Sequence, residues 1–170
     1  PMYLRLGRSG DPAVHAVPPP FAIGRAITVR DGRDVTLLAT GAITHAALEA
    51  ADLLAGERVA ARVVSVHTLK PLDTEAVRRA CDETAVVVTV EEHSIVGGLG
   101  GAVAEAMADL GCAPRAFVRL ALADGFAHEI GGREHLLRKA GLAPSDIARA
   151  ARDALRKTGA TAPASAVDGR

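Results

Sequence analysis

A chain of 170 residues is long enough to bury one sizeable core and too short for two well-built ones. Its 20 lysines and arginines balance its 20 aspartates and glutamates, so electrostatic capture of nucleic acid or of an anionic membrane is not expected. One tyrosine, three phenylalanines and no tryptophan leave no stacking platform for bases or sugars, and no apolar run approaches the roughly 20 residues that span a bilayer.

Residues 1–8 (PMYLRLGR) place Tyr3, Leu4 and Leu6 around Arg5, which favours an extended strand with a break permitted at Gly7. Beginning inside a strand and without an initiator methionine at position 1, the chain reads as a piece of something longer. Residues 9–20 read as a linker, because Pro18, Pro19 and Pro20 favour polyproline geometry. Ala22 to Val29 is expected to be an edge-type strand, closed by the turn Asp31-Gly32. Val35 to Ala39 follows as a second strand, and Thr40-Gly41 then opens a helix that lines up Ile43, Ala47, Ala50 and Leu54 on one stripe. Ala61 to Val66 is the next strand, after which Asp73 is placed to cap a helix over Thr74 to Glu83 with Val77, Ala80 and Cys81 inward.

The stretch Ala85 to Ala106 (AVVVTVEEHSIVGGLGGAVAEA) organises the rest. Val86 to Val90 has no polar alternation and suits a strand buried on both faces of a parallel sheet. Glu91, Glu92, His93 and Ser94 turn abruptly polar and read as a loop. Gly97, Gly98, Gly100 and Gly101 follow, and Val103, Met107 and Leu110 then recur at helical spacing. Arg115 to Leu122 is a last strand leading into the loop Ala123-Asp124-Gly125-Phe126. Leu136, Leu137 and Ala140 mark a short helix stopped by Gly141, and Ser145 is expected to cap a final helix with Ile147, Ala150, Ala151, Ala154 and Leu155 inward. From Thr158 the apolar periodicity stops, and the tail is expected to be disordered. Strand and helix alternate at least three times, so the fold class is α/β: a three-layer α/β/α sandwich with a mostly parallel sheet of about five strands. The two cysteines, Cys81 and Cys112, are expected to be reduced thiols in a cytoplasmic protein.

Strand ends collect Thr40, His67, Lys70, Glu91, Glu92, His93 and Asp124 on one rim of the sheet, where open parallel sheets do polar work. Two imidazoles and an acid, His67 and His93 with a carboxylate, have the donor set for zinc, although no HExxH-type pairing is present. Glu91, Glu92 and His93 have the chemistry for general acid-base work, but neighbours on a strand point to opposite faces. Backbone N–H groups after the glycines would attract an anion, yet GGLGG is neither GxxxxGK[ST] nor GxGxxG, and tight packing is the plainer use of glycine. A polar cluster that satisfies loop amides or meets a partner is the plain alternative to all three. Arg5 and Arg8 are either solvated strand-end arginines or forks for an anionic substrate.

Read together, PMYLRLGR, DVTLLATGAITHAALEAADLL, ARVVSVHTLKPLD, VVTVEEHSIVGGLGGAVAE and DGFAHEIGG with KAGLAPSDI resemble the C-terminal domain of transketolases. The likeness is greater still to the C-terminal section of the short, split bacterial type, HTLKPLD and VEEHSIVGGLGGAV being its most specific parts. The deoxyxylulose phosphate synthases and the β subunits of 2-oxoacid dehydrogenases share the domain. The resemblance implies that residues 1–8 are the last strand of a pyrimidine-binding domain, 9–20 a linker, 21–157 the C-terminal-type domain and 158–170 a disordered tail. It implies transfer of a two-carbon ketol unit between sugar phosphates, not by this chain alone but in a dimeric assembly with an upstream chain or chains carrying the diphosphate- and pyrimidine-binding domains. Thiamine diphosphate and magnesium would sit in those domains. The GDG-type metal motif and the activating glutamate are missing here, so no catalytic, cofactor or metal residue is assigned to this chain. Arg8 falls where transketolases carry an arginine that contacts substrate phosphate, although the family's Ser-Arg is Gly7-Arg8 here; Arg5 is a second candidate. A deoxyxylulose phosphate synthase, an oxoacid dehydrogenase β subunit and a stand-alone anion-binding module are the alternatives.

Overall fold

In the computed structural model, which describes residues 1–7, 11–126 and 128–159, the β-branched and aliphatic runs become strands. These are β1 (Ile27–Arg30), β2 (Val35–Thr40), β3 (Ala61–Ser65), β4 (Val86–Ser94) and β5 (Ala116–Leu122). The segments of 3.6-residue periodicity become α1 (Thr44–Gly56), α2 (Thr74–Glu83), α3 (Leu99–Leu110), α4 (Arg133–Lys139) and α5 (Pro144–Lys157), with a 3-10 turn (Gly41–Ile43) leading into α1. One sheet results, in the order β1-β3-β2-β4-β5. All its pairings are parallel except the short edge strand β1, which lies antiparallel to β3 and loses register between Thr28 and Arg30.

Strand pleating sorts the core into two halves. Val35, Leu37 and Ala39 of β2 point to the face covered by α1 and α5, where Ile43, Ala47, Ala50, Leu54, Ile147 and Ala151 are fully buried. Leu38 and Val87 point the other way and meet Val77 and Ala80 of α2 and Leu99 and Val103 of α3. The three layers of the expected sandwich are these two helix pairs and the sheet between them. With almost no aromatic bulk, the core rests on many aliphatic side chains, each large one contributing about 1.5–3 kcal/mol by leaving water.

The connections from the neighbouring strands β2 and β4 leave to opposite faces, into α1 and α3 respectively. Thr40, the last residue of β2, is the register partner of Glu91 in β4. That divergence opens the end of the sheet at a topological switch point.

Several boundaries differ from expectation. Residues 1–7 form no strand and stand exposed: a strand needs a neighbour to pair with, and among the described residues none pairs with this segment. β1 begins at Ile27 because Ala22 to Arg25 makes a turn around Gly24, whose φ is +77°. β4 continues through Ser94 where a loop was expected, since the ladder is made by the main chain; after a register shift Ser94 pairs with Leu122. Ser145 does not cap α5. Ala143 is the cap residue and Pro144 takes the first helical position, where its fixed φ and missing N–H suit it, which moves Ser145 inside the helix. On that helix Ala148 is buried and Ala150 only partly so. Thr158 and Gly159 close α5, and the rest of the expected tail lies outside the described residues.

Candidate functional site

The carboxyl rim is built from the ends of β2, β3, β4 and β5. Asp73 shows how its loops are held. Oδ1 accepts from Ala76 N (3.0 Å), the expected cap of α2, while Oδ2 accepts from Ala26 N (2.8 Å) and so fastens the entry to β1. His67, half-buried after β3, bonds through Nδ1 to Thr68 Oγ1 (2.8 Å) and carries the Phe21 ring at 4.6 Å between centroids. Its Nε2 is buried without a partner among the described residues. Lys70 and Asp124 are exposed, and Thr40 is half-buried beside Gly41.

Glu91, Glu92 and His93 are separated by the pleat. Glu91 is 1% exposed and turns toward α3. Its Oε2 accepts from Leu99 N (2.7 Å) and its Oε1 from Gly100 N (2.8 Å), so a carboxylate from the adjacent strand caps a helix whose own cap residue, Gly98, has no side chain to do it. The negative charge also lies at the positive end of the helix dipole. Gly98 is required by this contact: a Cβ there would come 2.0 Å from Glu91 Oε2. A Cβ on Gly100 would meet Thr89 Oγ1 at 2.9 Å, so this glycine lets α3 sit close on the sheet. The loop between is pinned by Ile95 N donating to Leu122 O (2.9 Å) and Val96 N to Ser94 Oγ (3.2 Å).

Glu92 points to the other side and takes both arms of Arg133, Nε at 2.8 Å and Nη2 at 2.6 Å. This bidentate pair ties the end of β4 to the start of α4. Glu92 raises the Arg133 pKa further, burial opposes it, and Asp11 adds to the attraction. His93 is exposed and donates from Nδ1 to the carbonyl of Ser94 (3.1 Å).

The three chemical readings of the rim are decided by these partners. Among the described residues no three His, Cys, Asp or Glu side chains are grouped to hold a metal ion, and His67 and His93 form no such set. Glu91 and Glu92 cannot act as an acid-base pair, because each is committed to a different structural contact. The two amides that would hold a foreign anion at the start of α3 already hold Glu91. Arg5 is exposed on the irregular segment 1–7, and Arg8 lies outside the described residues.

Beside the exposed Lys70, His93 and Asp124 the rim presents large apolar side chains. Phe126 is 92% and Ile130 103% exposed on the loop before α4, with Val96 and Leu122 beside the end of β4 and Met2, Tyr3, Leu4, Leu6, Phe21 and Ile23 on the segment before β1. Three of the four aromatic side chains therefore stand in solvent instead of the core. Sequence reasoning missed Arg133 and the exposed pair. Nothing local links Arg133 to Glu92, whereas Phe126 and Ile130, set among glycines and charged residues in DGFAHEIGG, were a readable sign of apolar side chains on a loop.

A family model described as the transketolase C-terminal domain matches residues 24–147. The 6-deoxy-6-sulfo-D-fructose transketolase subunit of Clostridium sp. (strain MSTE9) is 42% identical over 153 residues, covering 90% of this chain and 47% of the relative. A 1-deoxy-D-xylulose-5-phosphate synthase of Gloeobacter violaceus is 38% identical over 161 residues, 95% of this chain and 25% of the relative. Among solved structures, a split-gene transketolase in an inactive β4 tetramer superposes with a TM-score of 0.80 at 41% identity, over 88% of this chain and 48% of that one. The chain thus spans about half the length of the transketolase subunits it matches and a quarter of the synthase.

Proposed function

The chain belongs to the transketolase C-terminal domain family, and from that premise we propose that it is the C-terminal part of a cytoplasmic, thiamine diphosphate-dependent transketolase moving a two-carbon ketol unit between sugar phosphates. Its own work is assembly. The observation that carries this is the contrast on the rim: Glu91 fills the anion seat at the start of α3, while Phe126, Ile130 and the segment before β1 offer uncovered apolar side chains. Large exposed apolar and aromatic groups are the material of protein interfaces. The partner is the polypeptide, upstream in this family, that carries the diphosphate- and pyrimidine-binding domains, and the assembly is a dimer.

The residues described here do not fit thiamine diphosphate with magnesium. A diphosphate brought to the start of α3 would meet the Glu91 carboxylate on the same two amides, and no grouped acids or imidazoles among the described residues suit the ion. On our reading the cofactor, and with it the chemistry, belongs to the partner polypeptide. For a stand-alone anion-binding module on the rim around His67, Lys70, Glu92, His93 and Gly97, the same occupancy removes the two amides at the start of α3 from the seat.

Arg8, and after it Arg5, would add a guanidinium for the substrate phosphate. Arg8→Ala is expected to raise KM for phosphorylated substrates and to spare unphosphorylated ones; equal loss for both removes the role. Co-elution of this chain with the partner polypeptide tests the assembly, and separate elution at micromolar concentration contradicts it. The relative from Gloeobacter violaceus keeps a second reading in view, the C-terminal domain of a deoxyxylulose phosphate synthase. Formation of deoxyxylulose phosphate by the reconstituted enzyme, in place of ketol exchange between sugar phosphates, would favour it.

A further inference from the structure

The sheet ends on one side at β5: β4 pairs with one edge of that strand and, among the described residues, no strand pairs with the other. Two bonds show which main-chain groups face that free edge. Ala116 N donates to Ala85 O (3.2 Å) and Leu122 O accepts from Ile95 N (2.9 Å), so the even-numbered residues of β5 turn toward β4. Main-chain groups alternate sides along a strand, and the extra residues at the register shift belong to β4, not β5. Phe117, Arg119 and Ala121 therefore direct N–H and C=O outward. Edge strands are ordinarily guarded by shortness, irregularity, lysine or proline. The opposite edge, β1, is four residues long and loses register, whereas β5 runs for seven residues (AFVRLAL) with no proline or lysine and a single charge, Arg119.

We infer that this edge docks a second copy of the chain, β5 pairing antiparallel with β5 about a twofold axis normal to the sheet, so that two five-stranded sheets become one. Such an axis keeps each face of the sheet on its own side. Phe117 packs against the half of the core under α2 and α3, and Arg119 shares that face, its stem lying over Gly100, where a Cβ would meet Arg119 Cδ at 2.9 Å. These two side chains choose the register. Pairing centred on Arg119 sets two guanidiniums opposite each other, and pairing centred on Phe117 sets Arg119 opposite Arg115; both are repulsive. Centred on Leu120, Arg119 faces only the methyl of Ala121. Centred on Val118, Arg119 of each copy faces Phe117 of the other, cation against ring, and these outward-facing residues exchange both main-chain bonds. Val118 then meets its own copy across the axis as a non-hydrogen-bonded pair, with Cα atoms about 4.5 Å apart. The contact uses none of the exposed side chains of the rim, so it stands or falls apart from the function proposed above.

Sedimentation equilibrium of the whole chain at micromolar concentration, joined to disulfide trapping, tests this. The wild-type chain is expected to dimerise. Arg119→Pro deletes an outward donor and spares the ladder to β4, and Arg119→Asp removes the cation from the Phe117 ring; each should weaken self-association by at least about tenfold. Circular dichroism shows whether each variant is folded, and the aspartate variant decides if the proline variant is not. Val118→Cys should give a covalent dimer on mild oxidation, its bridge mapped to position 118 of both chains, because the expected spacing suits a disulfide. Leu120→Cys should not. The inference is overturned by a monomeric wild-type chain, by a dimer that the folded Arg119 variants leave intact, by equal bridging at position 120, or by a cysteine at 118 that bridges only to the partner polypeptide.

Discussion

Replacing Glu91 by alanine leaves the amides of Leu99 and Gly100 without an acceptor and opens a hole in a buried site. A cost of about 2–5 kcal/mol is expected, read from urea unfolding. Gly98→Ala attacks the same contact from the other side, because the new methyl overlaps the carboxylate, and about 2 kcal/mol or more is expected. A change under about 0.5 kcal/mol in both variants would show that the clamp does not hold α3. Asp73 is a milder case. Its loss removes one cap bond and the bond to Ala26, each of the order of 1 kcal/mol.

At the scale of elements, the loop between β5 and α4 is held by charge. Glu129 takes Lys139 Nζ and His135 Nε2, each at 3.2 Å, and Lys139 first, then His135, holds its carboxyl below the usual glutamate range. A lowered carboxyl pKa means that the pair supports the loop at neutral pH and that this support disappears as pH falls through the lowered value. A carbon NMR titration should find Glu129 titrating below the ordinary glutamate pKa, with the difference shrinking in high salt. A titration at or above the ordinary value would contradict the tether.

Elements were also where the sequence was most legible. The uninterrupted valines of β4, the stripe that runs from Ile43 in the 3-10 turn through Ala47, Ala50 and Leu54 of α1, and the Asp73 cap all report periods or local bonds written over a few residues. What escaped was what distant residues decide. β4 runs on through Glu91 to Ser94 because β2 and β5 still offer it main-chain partners, which a sudden polar run conceals. Glu92 finds Arg133 across the fold, and no spacing announces that pair. The cap of α5 was misplaced by favouring the serine over the proline beside it. For the candidate site, glycine as packing space was readable in GGLGG, whereas its particular tenant, Glu91, became visible only when strand and helix were set side by side.

On the scale of the whole molecule, the sheet and its helices enclose an aliphatic core, and most of the exposed large apolar side chains, Leu53 of α1 apart, stand on one rim and the segment leading to it. Phe126→Asp and Ile130→Asp should leave unfolding stability within about 0.5 kcal/mol, because neither side chain is packed. The same changes should abolish co-elution with the partner polypeptide, as loss of central apolar anchors does. Wild-type association by both variants would move the interface elsewhere. The most direct measurement is ketol transfer between sugar phosphates with the partner polypeptide alone, this chain alone, and the two together. Turnover only in the mixture is the predicted result; equal turnover without this chain, or turnover by this chain unaided, would contradict it.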